Sequence, residues 1–439
     1  MLSLALALAL LVAQAGQLTS DSTVPDLHPV PGNASLLASG IPPASPELRQ
    51  RVLHYLHARS AALLDVTPDG GQILIATRFG GTRQMHLVDH PRGDRYQLTF
   101  GEEPISAAHF VPGDSDSILF LQDSGGGEAF QIHRFDRQTG RSALLTDGKS
   151  RHEGLRLSRD GKRAAFGSTA RNGKDTDVYL ADTKDVRHAR RLVEQPGTWQ
   201  PLEFSPDGRS LLVTHFRSVA DADLFVVDVE SGQRRQLTPK EGHASVRTAR
   251  FTPDGKAFYL VTDRWSDFEQ LYRLDLAEPS GKPIAIAPDL RWDLEHLAIS
   301  RDGSRLALTV NADGYSKLHV LDLASGKLEE KRLPAGIVGA LQFPAARPDL
   351  LLLEMHGPRT PGDVFHLDLG LGELVRWTRS ETGGLELDML LEPTLVRYPS
   401  TDGVQVPAFI YRSKVNPGVK QPVIVVCCDG QRRRIAIGR

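Results

Sequence analysis

Ser205-Pro206-Asp207-Gly208 decides how this chain is read, because the same turn returns along its length. Proline presets φ at the first corner of a turn, aspartate bonds back to nearby backbone, and glycine takes the left-handed position that follows. Short apolar runs flank it, Leu202 to Phe204 and Leu211 to Val213, so the segment predicts a β-hairpin. Related turns are Thr67-Pro68-Asp69-Gly70, Pro112-Gly113-Asp114, Ser158-Arg159-Asp160-Gly161, Thr252-Pro253-Asp254-Gly255, Ser300-Arg301-Asp302-Gly303 and Arg347-Pro348-Asp349. The aspartates fall at 69, 114, 160, 207, 254, 302 and 349, in steps of 45, 46, 47, 47, 48 and 47 residues. A period this regular marks a repeat architecture.

The fourth unit shows the plan. Leu202 to Phe204 is a first strand and Leu211 to His215 a second. Ser218 to Asp223 reads as a longer polar loop, Leu224 to Val229 as a third strand, and Arg235-Gln236-Leu237-Thr238 as a fourth. The ending recurs at Gln97-Leu98-Thr99, Leu144-Leu145-Thr146 and Arg376-Trp377-Thr378. The third strand is almost continuously apolar, which predicts that neighbouring sheets cover both its faces. Four strands per unit is the plan of a propeller blade, and a closed ring leaves only short edges. The fold expected is therefore all-β, a seven-bladed β-propeller over residues 60–390. The recurrent aspartates read as turn formers rather than metal or catalytic groups, because no calcium-loop spacing surrounds them.

Composition narrows the partners. The chain has 439 residues, 40% of them hydrophobic, and a net charge of -2 with both signs interspersed. That balance favours neither nucleic acid nor an anionic membrane surface as partner. The two cysteines, Cys427 and Cys428, are adjacent, which suits neither a disulfide framework nor a zinc site. No cofactor or metal is expected.

At the start, residues 2–13 form a Leu/Ala-rich run, and Ala13-Gln14-Ala15 is a small-x-small site. The run is too short to span a bilayer, so residues 1–15 read as a signal peptide and the protein as exported, periplasmic or secreted. No Lys or Arg precedes the run, which leaves an over-extended start or a plain leader as alternatives. Residues 16–59 read as an irregular leader, with a sequon at Asn33-Ala34-Ser35, followed by a short helix. Ser45 caps that helix, Pro46 opens it and Glu47 sits at its positive end. Leu48, Val52 and Leu56 line up on one face, expected to pack on the repeats. His54 and His57 lie on the same helix and read as solvated or capping groups.

After Leu391 the pattern changes. Leu395-Val396-Arg397-Tyr398, the turn Ser400-Thr401-Asp402-Gly403, Val404 to Arg412, and Pro422-Val423-Ile424-Val425-Val426 predict three strands of a new domain over 391–439. At this junction the sequence resembles the prolyl-oligopeptidase family of serine peptidases, more narrowly its exported dipeptidyl aminopeptidase or acylaminoacyl-peptidase-like members. The resemblance rests on Ala76-Thr77-Arg78-Phe79-Gly80, Leu145-Thr146-Asp147-Gly148-Lys149-Ser150, the run from Ser168 to Asp175, Thr262-Asp263-Arg264, Glu381-Thr382-Gly383-Gly384-Leu385 and Ser400-Thr401-Asp402-Gly403. It covers about residues 48 to 426. It implies a propeller followed by the first strands of an α/β-hydrolase domain, and peptides as substrates.

The family's chemistry is a Ser-His-Asp triad whose serine sits in a Gly-x-Ser-x-Gly elbow. No serine here has glycine at both flanking positions. The family's His-Gly-Gly-Pro is replaced by Cys427-Cys428-Asp429-Gly430-Gln431 and then Arg432-Arg433-Arg434. No catalytic residue can be carried over, so the chain is expected to be a truncated peptidase, inactive alone, through a frameshift or early stop in a longer gene. The alternative is a stand-alone periplasmic propeller that binds a protein or peptide. Glu102-Glu103 resembles the acidic pair with which dipeptidyl peptidases hold a substrate amine, but its setting directly after a strand predicts a solvated turn. Arg264 is read either as a channel-facing group for a peptide carboxylate or as a structural partner of Asp263 or Asp267.

Overall fold

A computed structural model describes residues 27–30, 33–42, 44–239, 241–279, 281–413, 420 and 423–426. The signal-like run, Cys427, Cys428 and Arg432 to Arg434 lie outside the described residues. The chain falls into two compact units, 1–53 and 54–439. In the first, the segment read as an irregular leader carries a hairpin: His28–Val30 pairs with Asn33–Ala38, His28 opposite Ala38. Leu36 and Leu37 both stay exposed, so no buried alternation marks these strands in the sequence. The helix is Pro46–Leu56, and its Leu48 N–H donates to Ser45 Oγ at 3.1 Å as an N-cap. Leu48, Val52, Leu53 and Leu56 are exposed and the helix buries no side chain.

In the second unit, seven four-stranded antiparallel sheets follow one another without exchanging strands. They span residues 62–97, 105–144, 152–193, 198–236, 248–285, 294–331 and 337–376. First strands touch first strands of neighbouring sheets around the ring, so they line the central channel. The core lies in seven apolar seams, each built from two adjacent blades.

The second strand, not the third, is the fully covered one. Ile73–Thr77 and Ala257–Thr262 are buried throughout, whereas Asp221–Asp228 alternates. Successive side chains of a strand point to opposite faces. Leu211 and Val213 therefore fill the seam with blade three, and Leu212 the seam with blade five. The third strand presents part of one face closer to the rim.

The repeated turn has one geometry in five blades. Asp69, Asp160, Asp207, Asp254 and Asp302 each accept the hydroxyl of the Ser or Thr two residues earlier at 2.6 Å. Each also accepts the backbone N–H two residues later, at 3.0–3.1 Å. These bonds favour the charged form and hold all five carboxyls below their usual range. Asp114 and Asp349 differ: the first accepts Ser117 Oγ at 2.7 Å, the second pairs with Arg347 at 2.6 Å.

The recurrent threonine also has a task. Thr99, Thr146, Thr238 and Thr378 accept the N–H of Met85, Ile132, Leu224 and Val364 at 3.0–3.1 Å, satisfying third-strand donors where the outer strand ends. The polar stretch Ser218 to Asp223 is not a loop. Ser210–Ser218 and Asp221–Asp228 run through it to a two-residue turn, because Arg217 bonds Asp221 and Asp223 at 2.7 Å each. Ion pairs between adjacent strands replace the apolar pattern that normally marks strands.

Ring closure is by packing and hydrogen bonds. Ile73, Ile75 and Val88 of blade one share a seam with Leu350, Leu352, Val364 and Trp377. Glu354 accepts the Leu63 N–H at 2.8 Å, and the Ala61 N–H donates to the Gly362 carbonyl at 2.8 Å. Beyond the ring, Thr394–Pro399 and Gln405–Ile410 form a hairpin over the turn Ser400 to Gly403. Val423 to Val426 form no strand and are 76–89% exposed. An apolar strand needs both faces covered, and among the described residues nothing covers this one.

Candidate functional site

Each blade joins its second and third strands by a hairpin at one mouth of the channel, opposite the repeated turns. Chain entry and exit both lie at this mouth. The Arg59 N–H donates to the Glu381 carbonyl at 2.9 Å and its guanidinium pairs with the Glu381 carboxylate at 2.6 Å. His54 Nδ1 bonds the Gly383 carbonyl at 2.6 Å, so this histidine ties the chain before the ring to the chain after it. His57 is exposed.

The trailing hairpin sits on the same face. Phe409 meets Tyr315 edge-on, with centroids 5.2 Å apart, and Arg397 pairs with Asp313. Arg359 of blade seven reaches Glu392 at 3.2 Å. Asp313 takes φ +55° in the tight turn before Gly314, whose N–H donates to Asn311 Oδ1 at 2.8 Å. That turn holds the carboxylate toward the hairpin. The face is thus the surface on which the following segment is built, and it is the candidate functional surface.

Its remaining charges are largely compensated locally. In blade three Arg171 Nε bonds the fully buried Asp177 at 2.6 Å and its other nitrogen reaches Asp175 at 3.2 Å. The Gly197 N–H at 2.9 Å, then the Asn172 amide at 2.8 Å and the Arg171 guanidinium, hold Asp175 below its usual range. In blade four, bonds from Arg217 and from His243 hold Asp221 at about 2. Such pairs stiffen hairpins. The serine hydroxyls of the repeated turns, Ser158, Ser205 and Ser300, are each bonded to the turn aspartate at 2.6 Å.

Glu102 and Glu103 lie in a bend between blades one and two. Gln84 and Gln122 hold the Glu103 carbonyl, both at 2.9 Å, and the Glu102 side chain is exposed. Arg264 donates to the Glu241 carbonyl at 2.8 Å, and Asp263 accepts the Ser245 N–H at 2.8 Å. Arg264 forms no ion pair with Asp267 among the described residues, so its anchor is a carbonyl that sequence reasoning did not name. The docking residues Asp313, Tyr315 and Arg359 were also missed. Their only sequence signal is that each falls in or beside a second-to-third-strand hairpin. No helix among the described residues is long and apolar enough to cross a membrane.

Comparison with known proteins places this architecture. The family model described as "Prolyl oligopeptidase, N-terminal beta-propeller domain" matches residues 105–380. Dipeptidyl aminopeptidase BIII of Pseudoxanthomonas mexicana is 24% identical over 248 residues, 53% of this chain and 34% of that protein. The uncharacterized peptidase YuxL of Bacillus subtilis (strain 168) is 30% identical over 171 residues, 36% of this chain and 23% of that protein. The chain therefore spans about a third or less of these curated relatives. Among solved structures, a prolyl endopeptidase superposes with TM-score 0.68 at 16% identity, over 90% of this chain and 65% of its own. A puromycin-hydrolyzing peptidase of Mycobacterium tuberculosis does so with TM-score 0.68 at 18% identity, over 84% and 60%. The solved structures share the fold.

Proposed function

The chain belongs to the prolyl oligopeptidase family through its N-terminal β-propeller domain, and from that premise we propose that it is the propeller part of a serine-type peptidase acting on peptides. In this reading residues 391–439 begin an α/β-hydrolase domain that docks on the hairpin face and would supply the nucleophile, base and oxyanion donors. The observation that carries the reading is the seat of the trailing hairpin on blade six, through Phe409–Tyr315 and Arg397–Asp313. The propeller's part is to cover the reacting centre and restrict what reaches it. The chain by itself is inactive, since it holds no Gly-x-Ser-x-Gly.

The purified 439-residue chain tests this with aminoacyl- and dipeptidyl-nitroanilides. No release above buffer is expected, whereas a chimera carrying the Pseudoxanthomonas relative's sequence downstream of Ile410 should release nitroaniline. Turnover by the chain alone that a serine-directed phosphonate abolishes would overturn the reading. We further propose, from the signal-like run at residues 2–13, that the protein works outside the cytoplasm. Residues 1–30 fused to a reporter that folds only after export should give reporter activity.

A further inference from the structure

The opposite mouth of the channel, rimmed by the repeated turns, carries a charge pattern that the peptidase reading does not use. The second position of the turn is proline at 68, 206 and 253, but arginine at 159 and 301. These two arginines stand on blades three and six, on opposite sides of the ring. The Arg301 guanidinium reaches the Arg159 carbonyl at 3.3 Å, so one side chain bridges the opening.

A second tier lies just inside, near the ends of the first strands of blades three, four and five. Arg156 donates to the carbonyls of Leu202 at 2.8 Å and Leu155 at 2.9 Å, and Arg250 to the carbonyl of Ala249 at 3.1 Å. Carbonyls orient a guanidinium without neutralising it. Glu203 faces Arg156, Arg159 and Arg250, and one of its oxygens already accepts the Phe251 N–H at 2.7 Å. Asp65, the next carboxylate round the ring, is taken up by the N–H groups of Val66 and Phe110 and by Gln342, with His109 at 3.8 Å. Among the described residues none of the four arginines forms an ion pair with a carboxylate. Burial and the facing Arg250 lower the Arg156 guanidinium to about 10, which leaves it charged at neutral pH. Arg156, Arg159 and Arg250 thus converge on the single carboxylate of Glu203, with the exposed Arg301 guanidinium beside them at the Arg159 carbonyl, so positive charge is in excess at this mouth.

We propose that this mouth binds a small multivalent oxyanion of the phosphate type, seated between Arg159 and Arg301 and facing Arg156 and Arg250. Planar guanidinium forks match such oxyanions bidentately. A small ion suits the place better than a peptide, because the Arg301 side chain already spans the opening. The site is independent of the hydrolase reading and needs only the propeller.

Titration calorimetry of the full chain with inorganic pyrophosphate in low-salt buffer tests it. One saturable site per chain is expected. The variant R159P/R301P restores the residue that other blades carry, so its turns should form and its melting temperature should match the parent's. Its affinity should fall about tenfold or more, given two lost charge-assisted contacts. R301Q, which leaves the backbone untouched, should fall in the same direction. No saturable binding by the parent chain, or equal affinity in a folded R159P/R301P, overturns the proposal. Binding of a nucleoside diphosphate with none of pyrophosphate overturns it as well.

Discussion

Replacing Trp377 by alanine should open the ring where it closes. Its indole is 2% exposed and packs with Ile73, Ile75 and Val88 of blade one across the seam that no linker spans. Its Nε1–H donates to His366 Nδ1 at 2.8 Å. The Trp377 backbone also ties the seam, its carbonyl accepting the Arg92 N–H at 2.8 Å, but alanine keeps that bond. The loss is therefore that of a large buried side chain, about 3–5 kcal/mol. A propeller of this length unfolds with an entropy of roughly 0.6–0.7 kcal/mol/K, so the melting temperature should fall by about 5–8 °C. Circular dichroism melts of the parent and W377A measure this. Trypsin should also cut faster at Arg92 and Arg95, which flank the seam. A shift below about 2 °C, with unchanged cleavage, would refute the claim that side-chain packing closes the ring.

Further outcomes follow from the same geometry. Thr238→Val removes the acceptor of the buried Leu224 N–H and should cost about 1–2 kcal/mol in urea unfolding; an unchanged midpoint would contradict the role given to the recurrent threonine. Gly208 and Gly161 have φ of +71° and +70°, but a Cβ on Gly208 meets nothing within 4 Å whereas one on Gly161 falls 1.8 Å from the Pro112 carbonyl oxygen. Gly208→Ala should therefore cost about 1 kcal/mol, the left-handed penalty alone, and Gly161→Ala clearly more; equal melts would sink the distinction. Burial lowers the imidazoles of His86, His133, His152, His319 and His366 from their ordinary value. A depressed folded-state histidine contributes stability above its unfolded value near 6.5 that is lost as pH falls through the folded value. Raised Asp65 and Glu203 work the other way, but they are fewer. The urea midpoint should thus drop between pH 7.5 and pH 5.5, and a rise over that interval would show the carboxylates dominate.

The blades were legible because each turn is specified locally. Ser or Thr, Asp and Gly fold onto themselves within six residues, so their chemistry survives in linear order. Four outer-strand threonines were visible as a recurring Leu-Thr or Trp-Thr ending, although their bond reaches a residue fourteen positions back. Strand extents were less legible. Arg217 with Asp221 and Asp223 reads as a loop until pairing across the hairpin is seen. Val423 to Val426 reads as a buried strand, yet burial is a property of neighbours rather than of the segment.

Linear order by itself determined the number of blades and the structural task of the aspartates at 69, 160, 207, 254 and 302, because turn chemistry is local. It also determined that this chain lacks a Gly-x-Ser-x-Gly elbow. Only the tertiary structure decided which groups meet across the ring. Arg159 and Arg301 are 142 residues apart, and the Arg59–Glu381 pair joins the two ends of the propeller. In the sequence, the arginine in two of the repeated turns is a mere substitution for proline. Ring closure sets those two arginines against each other over one channel mouth, while the opposite mouth receives the segment that follows. The reason is geometric: a closed ring makes neighbours of distant blades, and the pattern within one blade carries no information about what lies across it.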